Sequence, residues 1–445
     1  MVDLGVDSAW RSHYLPTTED DRSAMLNAIG VASLDELFAD IPADYRNPTL
    51  DLPGPLSEME LRREMEALAS RNRHAGEYAC FLGAGAYNHF TPSIVRALIT
   101  RGEFLTSYTP YQPEISQGTL QATYEFQTMV CSLYDMEVAN AGLYDGASAL
   151  AEAALMACRV TGRSRIAACS TISSAYRQVL ETYCLPQGLE VVTIDPGAVE
   201  LHPDTACLVA QYPNFFGYLE DMARYRRISE AVGALMVVSS DPVAMAMLKP
   251  PGTFGADIVT GEGQALGLPP SFGGPYVGLF STRQSLLRQM PGRLTGRTTD
   301  RDGRPGFVLT LSTREQHIRR ERATSNICTN QALMALAATV YMAAMGKRGL
   351  RQVAEQSYHK AHYAADRIAA LPGYSLPLHG TFALEFPIAC PSPASEINSR
   401  LLDYGIIGGL DIGDRIPNGM LLCVTEVNTK DEIDALADAL AEFKP

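Results

Sequence analysis

Short apolar segments alternate with helical patterns between residues 76 and 345, and this alternation limits the possible fold more than any other feature. The apolar segments occupy residues 166–169, 191–194, 207–210, 235–238 and 258–259. Helical periodicity is found over residues 119–134 and 147–160. Runs that are apolar on both faces are typical of parallel strands covered by helices on both sides. We therefore predict an α/β fold with a mostly parallel central sheet.

The pattern divides the chain into three predicted domains. Residues 1–75 form a helical arm, with capping boxes predicted at Ser33 to Glu36 and at Ser57 to Glu60. Residues 76–345 form the large domain. Residues 346–445 form a smaller α/β domain that begins with a helix over 350–371 and ends with one over 431–443. The alanine-rich residues 332–345 are too few to span a bilayer and predict a buried helix.

Composition excludes several classes of function. A net charge of −14 argues against nucleic-acid binding, because phosphates require a basic surface. The nine cysteines form no C-x-x-C pair, so no zinc or redox motif is predicted. Residues 1–7 lack the basic and apolar regions of a signal peptide. We expect a cytoplasmic protein with reduced thiols, no metal and no membrane association.

The glycine-rich stretch after the strand at 256–260 resembles the cofactor site of pyridoxal-phosphate enzymes with the aspartate-aminotransferase fold, fold type I. In that fold the Schiff-base lysine lies just past such a strand. Here Gln264 takes its place. A carboxamide nitrogen is delocalised and cannot form an imine. We therefore predict that this chain binds no pyridoxal phosphate covalently.

The lysine inventory leaves one alternative. The chain has five lysines, and of these only Lys249, before Pro250 and Pro251, could lie near a site. A lysine in a proline-rich loop is more typical of a solvated position than of a catalytic one. A self-sufficient pyridoxal-phosphate enzyme that uses Lys249 remains an alternative.

Two further positions depart from the pyridoxal-phosphate pattern. Asp145 precedes the helix at 147–160, where the fold normally binds the cofactor phosphate, and its carboxylate predicts a helix cap that repels phosphate. Ser239 stands where an aspartate normally pairs with the pyridine nitrogen. Asp241 is close, but Pro242 disfavours a continuing strand. Three departures predict a cofactor pocket that is no longer used.

Three segments carry more functional groups than an unused pocket requires. Residues 81–90 and 108–118 combine glycines or prolines with polar tips, and residues 313–328 form the basic cluster of an acidic chain. The candidate site residues from the first two are Tyr87, Asn88, His89, Tyr108, Tyr111, Gln112 and Glu114. The structural alternatives are rigid loops over the core, a structural histidine, and an exposed helix of mixed charge over 313–328. The arginines of that cluster could also meet a phosphate or a partner's carboxylates.

Residues 15–21, 81–92, 108–118 and 313–328 together resemble one family over essentially the whole chain: the α subunit of the two-chain glycine decarboxylase, the P-protein of the glycine cleavage system. The resemblance implies an α2β2 heterotetramer whose β subunit holds pyridoxal phosphate on its own lysine. Glycine is decarboxylated there, and its aminomethyl group passes to the lipoyl group of the H-protein. Gln264 and Ser239 match the positions of the β subunit's lysine and aspartate, so those roles do not carry over.

What the resemblance leaves to this chain is a contribution in trans. We expect the seven candidate residues of the 81–90 and 108–118 segments to reach the partner's pocket. They would hold the phosphate or the glycine carboxylate there. The competing interpretation is a non-catalytic subunit that only stabilises the β subunit or docks the H-protein.

Overall fold

The computed structural model describes residues 17–46, 48–49, 51–328 and 330–443. The start of the 15–21 string and the first seven residues therefore lie outside the described part of the chain. Two compact units are present, residues 1–73 and residues 74–445.

Helices and strands follow in chain order. The helices are α1 (Glu19–Ile29), α2 (Glu58–Ala69), α3 (Ser93–Ile99), α4 (Gly102–Leu105), α5 (Gln117–Tyr134), α6 (Gly146–Thr161), α7 (Ser174–Cys184), α8 (Met222–Val232), α9 (Gln316–Arg319), α10 (Ala332–Ala369), α11 (Ala394–Leu401) and α12 (Lys430–Leu440). The strands are β1 (Ala79–Cys80), β2 (Val138–Ala139), β3 (Arg165–Cys169), β4 (Glu190–Ile194), β5 (Thr205–Tyr212), β6 (Leu235–Ser240), β7 (Ile258–Glu262), β8 (Gly278–Thr282), β9 (Leu294–Thr299), β10 (Pro305–Thr310), β11 (Glu385–Ala389), β12 (Ile406–Ile407), β13 (Leu410–Asp411) and β14 (Gly419–Cys423).

The first unit contains α1, α2 and short 3-10 turns. The predicted capping box at Ser57 is confirmed, since its hydroxyl accepts from the backbone of Glu60 and the Glu60 carboxylate accepts in return. The capping box predicted at Ser33 is wrong. The segment Leu34–Phe38 is a 3-10 turn without a side-chain cap, and the Glu36 carboxylate reaches past Ser33 to the N–H of Ala32.

A seven-stranded sheet forms the centre of the second unit, in the order β2-β8-β7-β6-β5-β3-β4. Strands β7, β6, β5, β3 and β4 are parallel, and β8 runs antiparallel to both of its neighbours. The register places Val209 beside Val237, and Val238 beside Val259. All three central strands, β5 to β7, are almost wholly buried, as apolar runs without alternation require. The predicted fold class, with its mostly parallel sheet, is confirmed.

Helix α6 packs against this sheet along a row of alanines. Ala149, Ala153 and Ala157 are fully buried, and residues four apart lie on one face of a helix. Small side chains along this face allow the helix to lie close to strand β7. The N-terminus of α6 lies at the carboxyl end of β7, where the N–H of Gly146 donates to Glu262. Active sites of this fold are normally found at that end of the sheet.

Helix α10 joins the large and small parts of the second unit. Its backbone leaves the helical region at Gly346, where φ is 59° and ψ is −179°, a conformation that favours glycine. The predicted buried helix over 332–345 is confirmed, with Ala335, Ala338 and Tyr341 all buried. No helix in the described ranges is long and apolar enough to cross a membrane.

The small part is a three-stranded antiparallel sheet, ordered β11-β14-β13, covered by α11, α12 and the second half of α10. Its separate core contains Phe386, Leu422 and Leu436. Strand β12 also pairs in parallel with β1, which ties the start of the unit to its end. We propose Gly346 as the start of the smaller domain, because the helix breaks there; Leu350 and Val353 still pack in the core of the large part, and along α10 the second core begins at Ala361.

Candidate functional site

Gln264 occupies the position of the expected lysine and is completely buried. Its Oε1 accepts from the N–H of Tyr87 at 2.7 Å, and its Nε2 donates to the carbonyls of Tyr87 at 2.9 Å and Leu268 at 2.7 Å. The carboxamide thus uses its acceptor and both of its donors on backbone groups. A lysine ammonium has no acceptor and could not bind the Tyr87 N–H. The side chain at position 264 therefore anchors the loop that carries Tyr87.

The phenol of Tyr87 links the same loop to the small domain. It donates to Oε2 of Glu385 at 2.9 Å, and Oε1 of Glu385 accepts from the N–H of Ala84 at 2.6 Å. Burial raises the pKa of Glu385 to about 7, against the effect of these hydrogen bonds. Burial, together with the nearby carboxylate of Glu385, also holds the pKa of Tyr87 well above its usual value. Tyr87 therefore acts as a neutral donor within its own chain.

Asn88 and His89 are held by the segment after β14. Nδ1 of His89 lies 2.6 Å from Oε2 of Glu426, whose Oε1 accepts from the N–H of Phe90 at 2.7 Å. The carbonyl of Asn88 accepts from the Thr425 hydroxyl at 2.6 Å. Burial opposes ionisation of Glu426, but the hydrogen bond and charge of His89 outweigh it and lower the pKa of this carboxyl. His89 is buried, and its Nε2 has no hydrogen-bond partner among the described residues.

A small cavity of about 30 Å³ lies where the pyridoxal-phosphate fold would place its cofactor. Its lining includes Tyr87, Tyr176, Gln211, Ser239, Asp241, Glu262 and Glu385. Four of these residues, Gln211, Ser239, Asp241 and Glu262, lie at the carboxyl ends of the parallel strands β5, β6 and β7. This is the usual location of sites in such sheets. A cavity needs about 10–15 Å³ of such volume for each water, so this one has room for about two or three water molecules. Its volume is therefore small for a pyridine ring with a phosphate.

Glu262 fills the position where a phosphate would bind. Its Oε2 accepts from the N–H of Gly146, the first residue of α6, at 2.9 Å, and its Oε1 accepts from the N–H of Gln264 at 3.0 Å. Asp145 caps the same helix through the N–H of Ser148 at 2.8 Å, which confirms its predicted capping role. Burial, with a contribution from the charge of Asp145, raises the pKa of Glu262 to about 8. The helix end therefore already holds carboxyl groups of the chain itself.

Asp241 corrects the expectation drawn from Pro242. Strand β6 does end at Ser240, yet Asp241 lines the same cavity as Ser239. Its carboxylate accepts from the N–H of Ala244 at 2.6 Å, and burial raises its pKa. The proline redirects the chain after this residue without removing the carboxylate from the cavity. The residues present do not fit pyridoxal phosphate: the amine is missing, the anion position is filled, and the walls are acidic.

Lys249 lies away from this cavity. Its side chain is exposed, and its Nζ sits 4.7 Å from the centroid of the Phe254 ring. It is not among the residues that line the cavity. The predicted solvated position is confirmed, and geometry gives the Lys249 alternative no support.

Residues 107–116 form a loop whose aromatic side chains point outward. Tyr108 is 88% exposed and Tyr111 is 52% exposed, and Gln112 and Glu114 are exposed as well. The end of the loop is fixed by Gln117, whose carboxamide pairs with both backbone groups of Phe307 at 2.9 and 2.8 Å. The candidate residues therefore separate into two groups. Residues 87–89 are held inside the chain, and residues 108–114 are presented on its surface.

The basic segment after β10 has a partly buried start at Arg314 and an exposed continuation over residues 316–322. The alternative of an exposed helix is therefore correct in the exposure but wrong in the helix, because α9 is only four residues long and is flanked by 3-10 turns. Arg314 donates to the carbonyls of Met290 and Gly292, the latter at 3.0 Å. Burial lowers the pKa of Arg314, against the opposing effect of neighbouring Glu315. These bonds tie the segment to the turn before β9.

Sequence reasoning missed three residues that organise the candidate site: Glu262, Glu385 and Glu426. Glu262 stands two residues before Gln264, so its proximity to the site could have been inferred from the strand. Glu385 and Glu426 lie 298 and 337 residues away from their partners Tyr87 and His89. No local pattern marks such long-range pairs.

The fold and the cavity define the class of protein: a fold type I pyridoxal-phosphate architecture whose own cofactor position is closed. Comparison with a distant solved structure supports the fold. A sphingosine-1-phosphate lyase from Burkholderia pseudomallei has a TM-score of 0.62 at 16% identity, covering 90% of this chain and 93% of its own, and shows the shared fold.

The family follows from closer matches. The family model for the glycine cleavage system P-protein matches residues 12–440, and the chain belongs to that family. It is 54% identical over 444 residues to a probable glycine dehydrogenase (decarboxylating) subunit 1 of Thermomicrobium roseum, covering 96% of this chain and 99% of the relative. The corresponding protein of Chlorobium chlorochromatii is 49% identical over 443 residues, covering 97% and 99%.

A solved structure agrees with these sequences. The crystal structure of glycine decarboxylase (P-protein) of the glycine cleavage system, in inhibitor-bound form, superposes with a TM-score of 0.91 at 43% identity. It covers 96% of this chain and 99% of that chain. The family resemblance read from the four sequence strings is confirmed.

Proposed function

We propose that this chain is subunit 1 of a two-chain glycine decarboxylase, an enzyme of glycine catabolism in the cytoplasm. The proposal rests on the family match and on relatives that carry this name along nearly their whole length. The chain is thus part of an enzyme, and a second subunit completes it. We propose an α2β2 assembly of the two.

The pyridoxal phosphate of this enzyme belongs to the partner β subunit. The observation that carries this step is the hydrogen bonding of Gln264, which uses every polar atom of its side chain on backbone groups of Tyr87 and Leu268. Glu262 supports it by occupying the anion position at the start of α6. The cofactor, when bound to the partner, supplies an electron sink for the loss of CO2 from glycine.

The contribution of this chain in trans comes from the surface loop. Tyr108, Tyr111, Gln112 and Glu114 are exposed and carry hydroxyl, amide and carboxylate groups that can contact a phosphate or a carboxylate. Tyr87, Asn88 and His89 belong to the loop over residues 81–90, which is held by Gln264, Glu385, Thr425 and Glu426, and we propose that their role is to fix the path of that loop. Exposed aromatic residues on a fixed loop are typical of a binding surface.

The second half of the reaction involves another protein. We propose that the aminomethyl group left by decarboxylation passes to the lipoyl group of the H-protein, which docks on the assembled enzyme. Neither the docking surface nor the acceptor requires a metal or a covalent cofactor on this chain.

The test is reconstitution with the partner subunit. Tyr108→Phe and Tyr111→Phe remove one hydroxyl each from the exposed loop, and we expect each to reduce exchange of the glycine carboxyl carbon with CO2 by about 10-fold or more. Tyr45→Phe, at an exposed tyrosine of the first unit, is the matched control. Unchanged exchange in both loop variants, with intact assembly, would show that the chain is only a scaffold.

A further inference from the structure

A second cavity of about 200 Å³ lies behind the exposed loop. Apolar side chains form most of its wall: Phe104, Leu105, Pro110, Phe126, Leu333 and Leu336. One charged side chain, that of Arg293, also lines it. A largely apolar cavity with a single convergent charge has the form of a small-molecule site rather than of a packing defect.

Arg293 is 94% buried, since its relative exposure is 6%, and its hydrogen bonding is incomplete. It donates to Oδ1 of Asn330 at 3.3 Å and to the phenol oxygen of Tyr111 at 3.2 Å, both at the long end for such bonds. Its Nε is buried and has no hydrogen-bond partner within the described ranges. The closest carboxylate oxygen recorded, of Glu315, is 3.5 Å from Nε. A guanidinium has five N–H groups; two are used and that of Nε faces Glu315, so two N–H groups of the terminal nitrogens are left for another acceptor.

The contact between Arg293 and Tyr111 fixes the polarity of the phenol. A guanidinium can only donate, so the oxygen of Tyr111 must accept from it. The O–H hydrogen of Tyr111 then points away from Arg293. Tyr111 is half exposed and directly follows Pro110, which lines the cavity, and its ring lies 5.5 Å from the guanidinium carbon. Donors of Arg293 and Tyr111 therefore meet at this edge of the cavity, and the nearby carboxylate of Glu315 makes no hydrogen bond with Nε of Arg293.

We propose that Arg293 and Tyr111 form a binding site for the carboxylate of a small acid with a short apolar body. The planar guanidinium matches the two oxygens of a carboxylate, and the apolar wall accommodates the carbon chain. The carboxylate of Glu315, 3.5 Å from Nε, already offsets part of the positive charge of Arg293, so the site suits a monoanion better than a phosphate dianion. Both residues of the site belong to this chain, and Tyr111 also serves the proposed role in trans, so binding of the acid is tested in this chain without its partner.

The test follows the N–H signal of the arginine in the purified chain. The chain is labelled with ¹⁵N-arginine, and the Nε–H resonance of Arg293 is identified by its loss in Arg293→Lys. Sodium butyrate is then added at constant ionic strength. We expect a saturable shift of this resonance, and no such shift with butanol or with sodium chloride. Methyl phosphate should bind at least several-fold more weakly than butyrate.

Variants separate the site from a general anion effect. Tyr111→Phe keeps the ring and removes one donor, and it should weaken butyrate binding by about fivefold. Arg322→Lys, at an exposed arginine, should leave binding unchanged. Since Tyr111 is a surface residue, its variant reports on the site even where Arg293→Lys unfolds the chain.

Four outcomes would overturn the assignment. They are a shift produced equally by butanol, a shift that follows chloride alone, tighter binding of methyl phosphate than of butyrate, and butyrate binding that Tyr111→Phe leaves intact. None of these depends on the partner subunit. Loss of the proposed decarboxylase role would therefore leave this result standing, and the reverse is also true.

Discussion

Gln264 and Tyr87 are joined by a pair of hydrogen bonds in which one side chain binds both backbone groups of a residue 177 positions away. Two other glutamines make the same pair: Gln117 with Phe307, and Gln127 with Thr295. The carboxamide mimics a neighbouring strand in each case. At position 264 this pairing holds a loop in the space beside the closed cavity.

Restoring the lysine should therefore not restore a cofactor site. Gln264→Lys leaves the Tyr87 N–H without its acceptor and buries an ammonium group, and we expect a loss of about 3 kcal/mol in the free energy of unfolding. No visible absorption band should develop when pyridoxal phosphate is added, because Glu262 still occupies the anion position. Urea unfolding and absorption spectra measure the two effects.

Gln127→Lys is the matched control for this change. Gln127 is buried and makes the same backbone pair, but on the β9 side of α5, away from the cavity. It should lose similar stability, and the reconstituted complex should keep its glycine exchange. The closed-pocket interpretation would be contradicted if Gln264→Lys kept its stability and formed a visible band with pyridoxal phosphate that borohydride traps at position 264.

The two buried glutamates of the cavity should make stability fall as pH rises. Their folded pKa values, about 8 for Glu262 and about 7 for Glu385, lie above the ordinary value of 4.5. Between about pH 5 and 8 the folded chain keeps protons that the unfolded chain releases, so the free energy of unfolding decreases with pH. Their contribution is full below the ordinary carboxyl pKa and is lost as pH passes through the folded values.

Unfolding by urea at about pH 5.5, 7 and 8.5 measures this slope. Glu262→Gln should flatten it, since the amide does not titrate. Glu64→Gln, at an exposed glutamate of α2, should leave it unchanged. A slope that Glu262→Gln does not alter would show that the carboxyl of Glu262 is ionised in the folded chain.

The sheet could be read from the sequence because buried parallel strands are local apolar runs whose length and spacing are visible. The exchange at position 264 was equally visible, since it depends on a residue type at a fixed distance from a strand. The glutamates that hold the loop over residues 84–90 were not visible in the sequence. Glu385 and Glu426 come from β11 and from the turn after β14, and only the packing of the small domain brings them to residues 84–90.

The basic segment shows the opposite error. Its sequence contains six acidic or basic residues within residues 313–322, which is the pattern of an exposed helix. Arg314 instead turns inward to carbonyls of the turn before β9. A charge pattern reflects composition alone. It does not show that carbonyl groups of a distant turn will accept hydrogen bonds from one of the arginines.

Glu426 should contribute stability with the opposite dependence on pH. Its pKa is lowered in the folded chain, where it accepts from Phe90 and pairs with His89. The contribution is therefore present above the ordinary carboxyl pKa and is lost as pH falls through the folded value. Glu426→Gln should cost about 2 kcal/mol at neutral pH, because the amide gives the His89 pair no charge.

The difference between Glu426→Gln and the parent chain should shrink as pH falls from about 5 toward about 3. Glu103→Gln is a useful control, because the pKa of that carboxyl is also lowered, mainly by Arg101, but on an exposed surface. Its effect on unfolding should be small, because ion pairs on an exposed surface contribute little to stability. If Glu426→Gln and Glu103→Gln behaved alike at neutral pH, the His89 pair would add nothing to the hold on residues 87–90. The fixed path of that loop would then depend on Gln264 and Glu385 alone.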